Sequence, residues 1–324
     1  MTRRLFFAAE FVLFSLFLPV DGYTNDIAAA AEDSTAAKMI MPADSTDAVI
    51  ELEGSGNYLG KGELREPLGI FAGPRGDVYV ADAMAGKVYK YDQSGNSVEF
   101  ELPSFSGSVY PIDLSGSAAF VYILDYSSNK ILRYDYRGAY LDILIDFAEY
   151  KNLKPVSLSV GTGGRFLMTD IESHHFTILN PLLDIELQIG AYGWDKGYFD
   201  EPMKASLLPG GRIAVADSGN RRIQIFSSSG RFLMLLGSSE EYEFCYPRSV
   251  CGDSEGNIFV ADTECGEVFV FSPSGRFIMS LDSYCGNDIA PSALSVSFEG
   301  KLFVADTQSS SVIIYRIVYP DSRP

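Results

Sequence analysis

The chain has 324 residues, 47% of them hydrophobic, and a formal net charge of −18. That charge argues against nucleic acid as a partner, because binding to phosphates draws its affinity from Lys and Arg, and against anionic membrane surfaces for the same reason. The 19 Tyr and 22 Phe favour strands, since aromatic side chains suit a pleated, half-buried surface.

Arg3 and Arg4 precede an apolar run over residues 5–20 that Glu10 interrupts. The unbroken stretch 11–18 has the length of a signal-peptide core and is short for a bilayer span. Residues 1–31 therefore read as an export signal. It is either cleaved, near residues 28–31 or nearer Gly22, or kept as an anchor on account of Glu10. Export would place the protein in the periplasm, at the cell surface or outside the cell. Residues 32–47, rich in Ala, Ser, Thr and Asp, have no usable period and read as a flexible tether. No later stretch reads as a membrane span.

From there the chain repeats. Val80-Ala81-Asp82 recurs as Val215-Ala216-Asp217, Val260-Ala261-Asp262 and Val304-Ala305-Asp306, with weaker copies ending at Asp125 and Asp170. A proline precedes each Asp: Pro67, Pro111, Pro155, Pro202, Pro247 and Pro291. The offset is 15 residues in five copies and 14 in the second. Two independent anchors holding one spacing through six copies define the repeat.

Each unit has one internal plan. In the fifth, a short apolar strand (Ser249-Val250-Cys251) is followed by a Gly-containing turn and a strand ending at Asp262. A loop leads to a third strand, residues 267–271, and a Ser-Pro-Ser-Gly turn leads to a fourth, residues 276–279. Gly and Asn supply the turn dihedrals, and short apolar runs between such turns read as strands. Four strands per unit of about 45 residues is the signature of a propeller blade.

The predicted fold is all-β: a six-bladed β-propeller of four-stranded antiparallel blades over residues 48–319, with a tail at 320–324. The sixth unit supplies only three strands. Residues 48–52 have the fourth-strand pattern and are expected to complete the last blade, closing the ring without exposed edges.

The units resemble NHL repeats. The best copy, PMKASLLPGGRIAVADSGNRRIQIFSSSGRFLMLLG at residues 202–237, carries the Pro, the Val-Ala-Asp, the Asn-x-Arg-Ile and the Gly-x-Phe of that pattern. The linkers at 54–67 and 190–202 are similar to the Gly-rich family linker ending in Pro. The resemblance covers residues 49–317 and implies the fold. It says little of function, because propellers host binding proteins, lyases and lactonases alike.

The six Asp read as structural, each accepting backbone N–H bonds in an Asx-type arrangement. The only histidines, His174 and His175, replace Arg221 and Arg222 of the best repeat. Neighbours on a strand point to opposite faces, so the two do not suit one metal ion. This departs from the amidating lyases with NHL-type propellers, which hold zinc with several histidines. The calcium-binding set of gluconolactonase-like propellers has no residue-by-residue counterpart here. Calcium in the channel is the one cofactor the resemblance admits, and no other is expected.

Asp113 and Lys204 lie two residues after their prolines, near the channel mouth, where they either grip a small polar ligand or neutralise one another. Aromatic residues gather in the loops of one face: Tyr58, Tyr110, Tyr192, Trp194, Tyr198, Tyr242, Tyr246 and Tyr284. Tyr and Trp are favoured in binding hot spots, which makes Trp194, Tyr110 and Tyr246 candidate contacts. Of the four cysteines, Cys245, Cys265 and Cys285 map to that face and Cys251 does not. One disulfide is expected, with Cys245–Cys265 and Cys265–Cys285 both open. No nucleophile–base set or phosphate loop stands out. The expected function is a non-enzymatic scaffold that recognises a protein, peptide or glycan. The alternative is a metal-dependent lyase or lactonase-like hydrolase acting in the channel.

Overall fold

The computed structural model describes residues 51–105, 107–149, 153–161, 163–281 and 289–319. The export signal, the tether, residues 48–50, Tyr284, Cys285 and the tail at 320–324 lie outside the described residues. The described chain forms six sheets of four antiparallel strands. Five sheets follow chain order, each starting at a repeat Pro: Pro67–Ala72, Pro111–Gly116, Pro155–Val160, Pro202–Leu207 and Pro247–Gly252. The sixth combines Pro291–Val296, Lys301–Asp306 and Ser311–Val318 with Glu51–Leu59 from the start of the propeller. These inner strands contact one another in cyclic order, the first meeting the last, so the ring is closed.

The closing strand runs further than the sequence pattern indicates. It takes in Gly54–Tyr58, which reads as linker, through a register irregularity between those two residues. Gly in a strand tolerates such a bulge. The 14-residue spacing of the second unit also has a local cause. Its first hairpin closes with Ser117 N–H on the Phe120 carbonyl, one residue tighter than Gly73 on Asp77 in the first unit.

The core lies between the blades. One cluster joins Tyr79, Val88 and Phe100 of the first blade to Leu114, Ile123 and Tyr134 of the second. Another joins Ala216, Ile223 and Leu236 of the fourth to Phe244, Val260 and Phe269 of the fifth. Both faces of the second strand are therefore buried, and Val80, Ala81 and Asp82 are all 0% exposed, which is why that strand reads as an unbroken apolar run.

The buried Asp clamps two segments at once. Asp82 accepts N–H from Arg65 and Glu66 in the linker before Pro67, at 2.8 and 2.9 Å, and from Ala85 in the loop after it, at 3.2 Å. The same linker bond recurs from Tyr110 to Asp125, Lys154 to Asp170, Asp200 to Asp217, Tyr246 to Asp262 and Ala290 to Asp306, at 2.7–2.8 Å. The repeat Pro follows the clamped linker, and in every blade the register shifts between it and the residue two positions on. Pro has no N–H to add to the ladder, so it suits such a bulge.

The fourth residue after each Asp turns left-handed. The six are Gly86, Asn129, His174, Arg221, Gly266 and Ser310, with φ from +52° to +69°. Only Gly and, to a lesser degree, Asn adopt this conformation cheaply.

Asp82→Ala strands three backbone donors and is expected to cost at least about 3 kcal/mol in urea unfolding, with Asp82→Asn recovering part. Ser310→Gly relieves a strained φ and is expected to add about 1 kcal/mol by the same measurement.

Candidate functional site

The inner strands are the edges of their sheets, and side chains from the neighbouring blade satisfy them. Asp113 accepts N–H of Leu158 in the next blade at 2.6 Å, and Ser249 that of Leu294 at 3.2 Å. Ser115 and Ser295 make the equivalent bonds one step deeper, to Val160 and Ala72. Ser295 thereby stitches the sixth blade to the first. Gly69 holds the corresponding position in the first blade, and a Cβ there would lie 2.7 Å from the Asp113 backbone. Glycine is required by that close approach.

Asp113 and Lys204 do meet. Lys204 Nζ donates to Asp113 Oδ2 and, at 3.1 Å, to the Leu158 carbonyl, so the pair brackets the inner strand of the third blade. Asp113 is 4% exposed. Its Oδ2 takes both Lys204 and Leu158 N–H, and its Oδ1 accepts its own neighbour, Leu114 N–H. The arrangement neutralises the two charges and joins three blades.

The residue before each Pro stands where the clamped linker enters the inner strand. In order these are Glu66, Tyr110, Lys154, Glu201, Tyr246 and Ala290. Tyr110 donates its hydroxyl to Glu66 at 2.9 Å, and Tyr246 donates to Glu201 at 3.1 Å. The two Glu–Tyr pairs lie three blades apart, on opposite sides of a six-bladed ring. Burial raises both Glu carboxyls above their ordinary range, against the lowering effect of the tyrosine bonds. It raises both phenols as well, with the adjacent Glu charge adding to the effect. Arg248, one residue past Pro247, is 8% exposed and within electrostatic reach of Tyr246, Glu66, Tyr110 and Asp113. Sequence reasoning singles out neither Glu nor Arg248. The signal that reveals them is the residue beside the repeat Pro, compared blade by blade.

Trp194 sits in the linker between the third and fourth blades. It is 69% exposed, and Tyr192 and Tyr198 beside it are 62% and 46% exposed. The loop that carries them is held down by the fourth blade. Arg222 donates to the carbonyls of Trp194, Asp195 and Tyr198 at 2.6–3.1 Å, while its Nε reaches Asp217. Gln224 adds bonds to the Tyr198 carbonyl and from Gly197 N–H, and Asn220 donates to the Gly193 carbonyl. The ring of His174 lies 5.0 Å from that of Tyr192. Tyr242 behaves differently. It stacks on Phe277 at 4.9 Å within a cluster that includes Phe244 and Phe271, and belongs to the core. Tyr58 carries Lys61 over its ring at 4.5 Å.

Cys245 and Cys265 are joined in a disulfide, Cα atoms 5.5 Å apart, and Cys251 is free. Among the described residues, Cys245, Asp262 and Cys265 are the one group of three metal-ligating types whose atoms lie within 4.8 Å of one another. Its sulfurs are bonded together, and Asp262 is occupied by the N–H groups of Cys245, Tyr246 and Cys265. In the channel, Glu66 and Glu201 belong to opposite blades and Asp113 is bound to Lys204. Among the described residues, these channel carboxylates do not come together as a group of three. His174 and His175 do not converge either. Nδ1 of His174 accepts Glu201 N–H, whereas His175 is buried, and burial lowers its pKa.

The chain is thus a six-bladed β-propeller, and the NHL repeat profile matches residues 244–271. Tripartite motif-containing protein 3 of Rattus norvegicus and of Mus musculus is 43% identical over 54 residues, 16% of this chain and 7% of the relative. The aligned part is thus a small fraction of those proteins. Among solved structures, a catalytically inactive virginiamycin B lyase from Staphylococcus aureus, with quinupristin, superposes with a TM-score of 0.64 at 12% identity. That match covers 83% of this chain and all of the lyase. A gluconolactonase from Xanthomonas campestris superposes with a TM-score of 0.61 at 14% identity, covering 84% of this chain and 91% of that one. At such identities the likeness is one of fold.

The raised Glu66 and Glu201 carboxyls give the fold a pH signature. The folded state holds these protons more tightly than the unfolded chain. Their contribution to stability is therefore fully present below the ordinary Glu range and is lost as pH rises through the raised folded values. Thermal melts are expected to show Tm rising as pH falls from about 7.5 to about 5, with a smaller rise in Glu66→Gln/Glu201→Gln.

Proposed function

We propose that this protein is an extracytoplasmic binding module that recognises a protein, peptide or glycan through the loop face around Trp194. The observation that carries this reading is the pinned linker. Three exposed aromatic side chains stand on a loop whose carbonyls are held by Arg222, Gln224 and Asn220. A contact surface already fixed in place gives up little conformational entropy on binding, and Tyr and Trp provide large contact area with few rotatable bonds. Loops on a rigid scaffold are where such sites concentrate. The basic N-terminal segment with its apolar core, and the Cys245–Cys265 disulfide, support an oxidising compartment.

The alternative, a metal-dependent lyase or lactonase acting in the channel, draws support from fold likeness alone. Channel carboxylates that do not converge count against it. A stoichiometric calcium or zinc in purified protein, found by elemental analysis, would reverse that preference.

The binding reading is tested by selecting ligands from a peptide library and a glycan array on immobilised protein. Trp194→Ala is expected to weaken the selected ligand by about tenfold or more, while leaving stability within about 0.5 kcal/mol because the side chain is exposed. Unchanged affinity would remove Trp194 from the site.

A further inference from the structure

The geometry points to a second site, at the mouth of the central channel, where Arg248 takes the carboxylate of a small monoanionic ligand. Arg248 is 8% exposed. Among the described residues its guanidinium has no hydrogen-bond or ion-pair partner. A buried charge normally persists only when paired. The groups within its electrostatic reach include Glu66 on the first blade and Tyr110 and Asp113 on the second. The fifth blade, which carries Arg248, packs against the fourth and sixth. The only space linking it to the first and second is the channel itself, so the side chain points inward, across the ring.

The neighbours are arranged to leave the guanidinium open. Glu66, an acid within its electrostatic reach, accepts the Tyr110 hydroxyl at 2.9 Å. Asp113 is held by Lys204 and by Leu158 N–H. A planar fork of N–H donors matches carboxylate or phosphate bidentately. The surrounding carboxylates select between these. They repel a dianion more than a monoanion, and they offer acceptors to an amino or hydroxyl group on the ligand. The fit is therefore to a small carboxylic acid, simple or amino-substituted. This site is separate from the Trp194 loop, and either can fail without the other.

The test uses the full-length protein with sodium acetate, glycine and inorganic phosphate as probes, at constant ionic strength set with chloride. Acetate and glycine at about 50 mM are expected to raise Tm by about 3 °C or more, and phosphate by less. Arg248→Met is expected to melt no lower than wild type, since it removes an unpartnered buried charge, and to lose the response to acetate. An equal response in Arg248→Met, or no response in wild type, overturns the assignment, and phosphate matching acetate overturns the preference for a monoanion. If Arg248→Met does not fold, the Nε–Hε resonance of Arg248 in wild type decides. A saturable shift with acetate supports the site, and a resonance unmoved to about 50 mM refutes it.

Discussion

A propeller depends on holding the end of one blade against the start of the next, and here a buried carboxylate does this in every repeat. The Asp closing each second strand accepts N–H bonds from the linker that enters its own blade, and in five of the repeats from the loop that follows as well. The charge sits where water does not reach, and backbone donors take the place of water. The linker fixed in this way delivers Pro to the inner strand with its bulge. The bulge sets which side chains then face the neighbouring blade. The variation at Asp217 is instructive. It lacks the loop bonds and gathers Asn220, Arg222 and Gln224 instead. Those same three side chains hold the Trp194 loop. The clamp of the fourth blade has thereby been extended outward into a surface feature.

The inner strands pose a second problem, since each is a sheet edge with unpaired N–H groups. Ser115, Ser249, Ser295 and Asp113 solve it by reaching into the next blade. Small hydroxyl side chains at these positions keep the channel lining polar without filling it. Lys204 takes such a position in the fourth blade, and Arg248 stands beside Ser249, one residue after its Pro. Lys204 finds Asp113 and a carbonyl; Arg248 faces the opposite blades. Among the described residues, the channel is lined by a structural network in which the Arg248 guanidinium has no hydrogen-bond partner.

Much of the fold is legible in the sequence because the repeat is enforced by backbone needs that only certain residues meet. Pro marks the bulge, Asp the clamp and Gly, Asn or their substitutes the left-handed turn. The closing strand is less legible. It lies at an outer edge, is paired on one side only, and tolerates Gly54 and the residues around it, so its pattern fades after Leu52. The site is the least legible part. Trp194 can be picked out because it is the one Trp of the sequence, lies in a linker and is of a type favoured in binding hot spots. Its support from Arg222 and Gln224 depends on a loop folding back over the preceding strand, which spacing does not show. Glu66, Glu201 and Arg248 come from separate repeats and assemble only when the ring closes. Likewise Asp113 and Lys204, separated by 91 residues, carry no sign in the sequence of whether they hold each other or something else.

The six Asp carboxylates, and not the linkers' own sequences, hold the blades in register. Native-state hydrogen exchange on the linker amides tests it directly. Arg65, Glu66, Tyr110, Lys154, Asp200, Cys245, Tyr246 and Ala290 are the donors to these carboxylates. All are expected to exchange as slowly as the second-strand amides at Val80 and Val260, by opening of the whole ring. Exchange at the rate of ordinary surface loops, in blades whose strands stay protected, would mean that the carboxylates do not hold the linkers.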